Sequence, residues 1–118
     1  FYPYYLGHAH EAGTGDGPGA NLNLPLPLGS GDAVWLDALN QALDRVRDFA
    51  PGALVLALGL DAHERDPFQG LRVTTPAFEA AAVRIRALGL PTVIVQEGGY
   101  ISDDLTANIA SHLRGWQG

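Results

Sequence analysis

Two short stretches hold residues whose types and spacing could do chemistry. The first is Leu58-Gly59-Leu60-Asp61-Ala62-His63-Glu64-Arg65-Asp66-Pro67. Asp61 and His63 stand two positions apart, and a carboxylate and an imidazole so placed could serve one metal, because Zn²⁺ accepts oxygen and nitrogen ligands. Asp61 and Asp66 could equally satisfy backbone amides of their own loop, as Asp often does. The second stretch is Gln96-Glu97-Gly98-Gly99-Tyr100. Its glycines allow a sharp turn or a close approach of backbone to a ligand. A tyrosine just beyond them could offer a neutral phenol as hydrogen-bond donor to a developing oxyanion. It could also simply pack over the end of a sheet.

Both stretches need elements to position them. Ala53–Leu58 and Thr92–Gln96 are short, continuous apolar runs, the pattern of strands buried on both faces. The two chemical stretches follow directly on these runs. Between Ala33 and Ala50, Trp35, Leu39, Ala42, Val46 and Phe49 recur at helical spacing, with Ser30 or Asp32 as candidate cap and Pro51-Gly52 as stop. Thr75 as cap and Pro76 at the first helical position start a second helix that runs to about Leu88, ended by Gly89 and Pro91. Ser102 or Asp103 caps a third, whose apolar positions are Leu105, Ile109, Leu113 and Trp116. Residues 1–20 read as a long loop. Asn21–Leu28 alternates like a strand, but two prolines confine it to a sheet edge or an extended connection.

Helices alternating with strands predict an α/β fold, a parallel sheet with helices on its faces. Ligands of such sheets bind beyond the carboxyl ends of the strands. The loops there are Gly59–Arg72 and Glu97–Ile101, which hold Asp61 and Tyr100.

Composition narrows the function classes. A net charge of −6 with scattered basic residues argues against a nucleic-acid partner, which would need a basic patch. The absence of Cys excludes thiolate metal sites and disulfides. No apolar run approaches a membrane span and no signal-peptide pattern opens the chain, so the cytoplasm is the expected compartment. The chain has no Met and begins in what reads as structured sequence, the expectation being a processed chain or an excerpt of a longer one.

Taken together, Leu58-Gly59-Leu60-Asp61-Ala62-His63 with Asp66-Pro67, then Leu71-Arg72-Val73-Thr74, then Glu97-Gly98-Gly99-Tyr100 resemble successive signatures of the histone deacetylase superfamily. Phe1-Tyr2-Pro3, Gly7-His8-Ala9 and Asn21-Leu22-Asn23-Leu24-Pro25 resemble most its acetylpolyamine amidohydrolase branch. The resemblance spans nearly the whole chain. It implies that residues 1–118 are the C-terminal portion of a single deacetylase domain of the arginase/deacetylase-type fold, with helices on both faces of the sheet and the upstream half absent. It implies cleavage of acetyl-amide bonds with one Zn²⁺, Asp61 as a zinc ligand and Tyr100 as the catalytic tyrosine. Tyr2 falls on an aromatic tunnel wall where the family commonly has Phe, and Gly98 and Gly99 match glycines that let the substrate chain pass. His63 falls on a position that either backs the metal ligands or is structural, and His8 on a segment outside the metal site. His10 is ambiguous, and His112, on the last helix, reads as surface.

The implied substrate is a small cationic acetylated molecule, an acetylpolyamine or acetyl-lysine, and the implied assembly a homodimer that narrows the tunnel. The family's other zinc ligands and its tandem His-His pair have no counterpart in these 118 residues. One carboxylate does not hold a catalytic zinc, which takes three protein ligands. Three readings follow: an excerpt of a complete amidohydrolase, a natural truncation in which His8, His10 or His63 joins Asp61, or dimerisation rebuilds a pocket, to give a small hydrolase with altered chemistry, and a non-catalytic binding or assembly module that keeps the fold.

Overall fold

The structure, a computed structural model, describes residues 2–118; Phe1, which opens the Phe1-Tyr2-Pro3 motif, lies outside the described residues. In chain order the elements are α1 (Asp32–Phe49), β1 (Leu54–Leu58), α2 (Thr75–Arg86), β2 (Thr92–Gln96) and α3 (Leu105–Gln117). β1 and β2 are parallel neighbours, with Leu54 opposite Thr92 and Leu58 opposite Gln96. The expected α/β architecture is present, and the two strands end at the same edge.

The strands are not buried on both faces in this chain. Leu54, Leu56, Leu58 and Ile94 turn toward the interior, while Val55 is 73% and Val93 61% exposed on the other face. Side chains alternate across a strand, so these valines form one continuous apolar surface. The buried core lies on the first face. It joins Leu58, Leu60, Val73, Ala77 and Phe78, with Trp35, Ile94, Leu105 and Ile109 packed around it.

Asn21–Leu28 forms no ladder. It is the extended connection that its prolines permit, since Pro25 and Pro27 carry no N–H. The preceding loop is organised around Glu11, whose Oε2 accepts the amides of Gly7 and His8, both at 2.6 Å. Those bonds to the anion, His8 first, hold the carboxyl below its usual range.

Capping differs from the sequence reading at all three helices. Gly31, not Ser30 or Asp32, precedes α1. Asp32 instead reaches the start of α2, its two oxygens accepting the Thr74 amide and the Thr74 hydroxyl at 2.7 Å each. Thr74, rather than Thr75, is the N-cap of α2, which ends at Arg86. Asp104, rather than Ser102 or Asp103, precedes α3. The buried residue of α1 is Leu43, and Phe49 is exposed.

The largest departure is α3. Its buried residues are Asn108, Ser111, His112 and Gly115, and Leu113 is exposed. That spacing is a helical stripe, but a polar and small one. It survives burial because α2 satisfies it: the Ser111 hydroxyl donates to Thr75 O at 2.8 Å, and the Thr75 hydroxyl donates to Asn108 Oδ1 at 2.6 Å. His112, expected at the surface, is buried with Nδ1 3.2 Å from Phe78 O and Nε2 accepting the Trp116 indole N–H at 3.1 Å. With Nε2 an acceptor, Nδ1 must carry the proton. The ring is therefore neutral, and both nitrogens are used.

A Cβ at Gly115 would lie 2.6 Å from Ala82 Cβ and from the Glu79 carbonyl oxygen. Gly115→Ala should therefore destabilise by about 1–3 kcal/mol through overpacking, despite a gain in helix propensity of about 1 kcal/mol, as denaturant titration would show. Burial lowers the His112 pKa from 6.5, offset in part by its bond to the Phe78 carbonyl. The unfolded chain thus takes up the proton at higher pH than the folded one, and this contribution to stability is lost as pH falls below 6.5. On acidification through that value, the melting temperature should fall further in the wild type than in His112→Gln.

Candidate functional site

At the shared carboxyl edge of β1 and β2, the two loops are laced together by the backbone. The Glu97 amide donates to Leu58 O and the Leu60 amide to Gly98 O, both at 2.9 Å. These bonds continue the parallel ladder one step past the strands, so Asp61 and Tyr100 leave from fixed neighbouring points. Gln96 Nε2 adds a 2.7 Å bond to Gly98 O.

A cleft of about 470 Å³ opens at this edge, lined by Asp61, Tyr100 and Tyr2 with Phe68, Trp35, Leu24, Leu26 and Leu71 among others. Three of the residues singled out in the sequence, from three separate segments, thus share one cleft. Gly98 and Gly99 are not part of the lining. Gly99 has φ 127°, a conformation that favours glycine, and a Cβ there would meet Leu105 at 2.9 Å and Leu60 at 3.0 Å.

The two aspartates of the first loop separate cleanly. Asp66 is buried, and its Oδ1 accepts the Phe68 amide at 2.9 Å while Oδ2 takes the Tyr100 amide at 3.5 Å. It satisfies loop amides, the use the sequence offered for it, and in doing so ties Phe68 and Tyr100 together. Their rings meet edge to face at 4.6 Å. None of the described hydrogen bonds ends on the Asp61 carboxylate, which stands half-buried at the cleft wall. It is the oxygen donor of this site with capacity to spare.

His63 is committed elsewhere. It is buried under the loop, with Nδ1 3.3 Å from the Arg65 amide and Nε2 3.3 Å from the Thr75 hydroxyl. Its role is structural, and it joins the first loop to the polar seam between α2 and α3. His8 and His10 stack at 5.6 Å in the Glu11 loop, and neither lines the cleft. Among the described residues no three His, Asp or Glu side chains are grouped to hold a metal. Phe68 was not singled out from sequence. A phenylalanine after Asp-Pro in a loop carries no periodic signal, and only its pairing with Tyr100 reveals it as cleft wall.

Asp66→Ala would leave the loop amides without their buried acceptor. The expected cost is about 1–3 kcal/mol, measured by chemical denaturation, with Tyr100 loosened as a consequence.

Comparison with known proteins bears on the same segments. The histone deacetylase domain family matches residues 1–116. Acetylpolyamine amidohydrolase 1 of Pseudomonas aeruginosa is 43% identical over 99% of this chain and 34% of its own length. The crystal structure of acetylpolyamine aminohydrolase from Burkholderia pseudomallei superimposes with a TM-score of 0.94 at 47% identity, over 98% of this chain and 34% of that one. The histone deacetylase Clr3 superimposes with a TM-score of 0.87 at 25% identity, over 98% of this chain and 20% of that one. The chain spans about a third of the length of the curated relatives it matches. No helix among the described residues is long and apolar enough to cross a membrane. Matched along nearly its whole length in both sequence and fold, the chain belongs to the histone deacetylase domain family.

Proposed function

We propose that residues 1–118 are the C-terminal portion of a single zinc-dependent amidohydrolase domain that removes acetyl groups from acetylpolyamines or acetyl-lysine. The observation that carries the reading is the convergence of Asp61, Tyr100 and Tyr2 on one cleft at the carboxyl edge of the sheet. Asp61 fits a Zn²⁺ ligand: it is a carboxylate at the cleft wall that no described hydrogen bond engages, on a loop whose backbone is pinned to its neighbour. A catalytic zinc takes three protein ligands, so the remainder of the domain supplies the others. When bound, Zn²⁺ would polarise the acetyl carbonyl and bring a water toward a pKa of about 7.

The chain's own residues do the rest. The Tyr100 phenol donates a hydrogen bond to the acetyl oxygen as negative charge develops there. Asp66 holds the Tyr100 backbone for this, and Phe68 braces its ring. Tyr2, Phe68 and Leu71 form apolar walls that exclude water and grip the methylene chain of the substrate. Aromatic faces also attract the free ammonium that an acetylpolyamine keeps, whereas an acetylated lysine side chain is neutral, which favours the polyamine of the two. The relatives named acetylpolyamine amidohydrolases point the same way. A homodimer belongs to this reading, since Tyr4, Tyr5 and Leu6 beside Tyr2 expose apolar surface.

The test uses the complete protein with an acetylated diamine and an acetyl-lysyl peptide as substrates. Tyr100→Phe should lower kcat by about 10²–10³-fold with bound zinc unchanged, the effect of losing one oxyanion donor. An unaltered kcat would remove Tyr100 from the mechanism. Hydrolysis of neither substrate by the wild type would remove the proposed activity.

A further inference from the structure

Gly59 and Gly98 need a reason to be glycine. Left-handed backbone supplies one at Gly99, but neither of the other two has a positive φ. Left-handed backbone therefore does not account for them. Space does. A Cβ on Gly98 would lie 2.6 Å from Asp61 Cγ and 2.8 Å from Oδ2, and closer still to Oδ1. A Cβ on Gly59 would lie 2.7 Å from the same Oδ1. The atom both would strike is a carboxylate oxygen of Asp61, approached from the ends of two different strands.

We propose that Gly59 and Gly98 form a cradle that sets the position of the Asp61 carboxylate, and are thereby positioning residues of the metal centre. The inference rests on the proposal that Asp61 is a zinc ligand. A short side chain can escape a Cβ only by turning about its own bonds, which moves the ligand oxygens away from where a metal must meet them. The damage should therefore appear in metal affinity more than in folding. The same contact makes the Tyr100 loop and the ligand carboxylate touch through Gly98, so a displaced carboxylate and a displaced loop go together. A role for Gly98 in substrate passage makes a different prediction, because Gly59 would then be free to change.

The experiment is a Zn²⁺ titration of the complete protein against a competing chelator, for wild type, Gly98→Ala, Gly59→Ala and Asp61→Ala. Both glycine variants should bind Zn²⁺ about 10–100-fold more weakly, the range seen when groups that orient metal ligands are lost. Wild-type affinity in both, or a Gly98→Ala variant that alters only KM, would overturn the cradle. Wild-type affinity in Asp61→Ala would instead overturn the ligand assignment beneath it. Thermal melting of the metal-free proteins gives a second readout. Any loss of Tm in Gly98→Ala should disappear in the Asp61→Ala/Gly98→Ala double variant, where the clashing oxygens are gone. If Gly98→Ala does not fold, recovery of folding in the double variant supports the cradle, and failure to recover overturns it.

Discussion

Two backbone hydrogen bonds beyond the strand ends, from the Glu97 amide to Leu58 O and from the Leu60 amide to Gly98 O, carry the parallel ladder into the loops. Everything at the cleft depends on that extension. Parallel strands end on the same side of a sheet, and here Leu58 stands opposite Gln96. The loop of Asp61 and the loop of Gly98 and Tyr100 therefore emerge together, although a whole helix separates them in the chain. An antiparallel pairing would have sent the two loops to opposite ends of the sheet.

The scaffold beneath the loops is held by a polar seam. Asn108, Ser111, His112 and Gly115 on α3 meet Thr75, Phe78 and Ala82 on α2, and hydrogen bonds replace much of the apolar contact expected between helices. Buried polar groups are costly unless every partner is present, and here no buried side-chain nitrogen or oxygen among the described residues lacks one. Such a seam tolerates little sliding, because a shifted helix would strand several polar groups at once. His63 extends it to the loop of Asp61 through the Thr75 hydroxyl. The cleft wall is thus connected to the helix layer by directional bonds as well as by packing.

Within the first loop, burial divides labour between chemically identical side chains. Asp66 is enclosed and spends its oxygens on the Phe68 and Tyr100 amides, whereas Asp61 lines the cleft and no described hydrogen bond ends on its carboxylate. The glycines divide in the same way. Gly99 answers both a backbone and a spatial requirement and Gly98 a spatial one alone, although they are adjacent and look equivalent in sequence.

The strand positions, the parallel α/β class and the loops that carry the site were legible in the sequence, because short apolar runs between Gly and Pro leave few other solutions. Asp61 and Tyr100 became candidates there because they lie just beyond those runs, and their roles came only from the family resemblance of the segments that hold them. The burial of α3 was not legible. Its inward stripe is polar, and a search for apolar periodicity selects Leu113 and passes over His112. Nor could spacing show which aspartate is free, that Phe68 backs Tyr100, or that Asp32 holds the start of a helix remote in the chain. Local propensity and pattern act along the chain and can be read from it. Partners for buried polar groups, and the space beside a carboxylate, come from segments remote in sequence, and only the packed structure decides them.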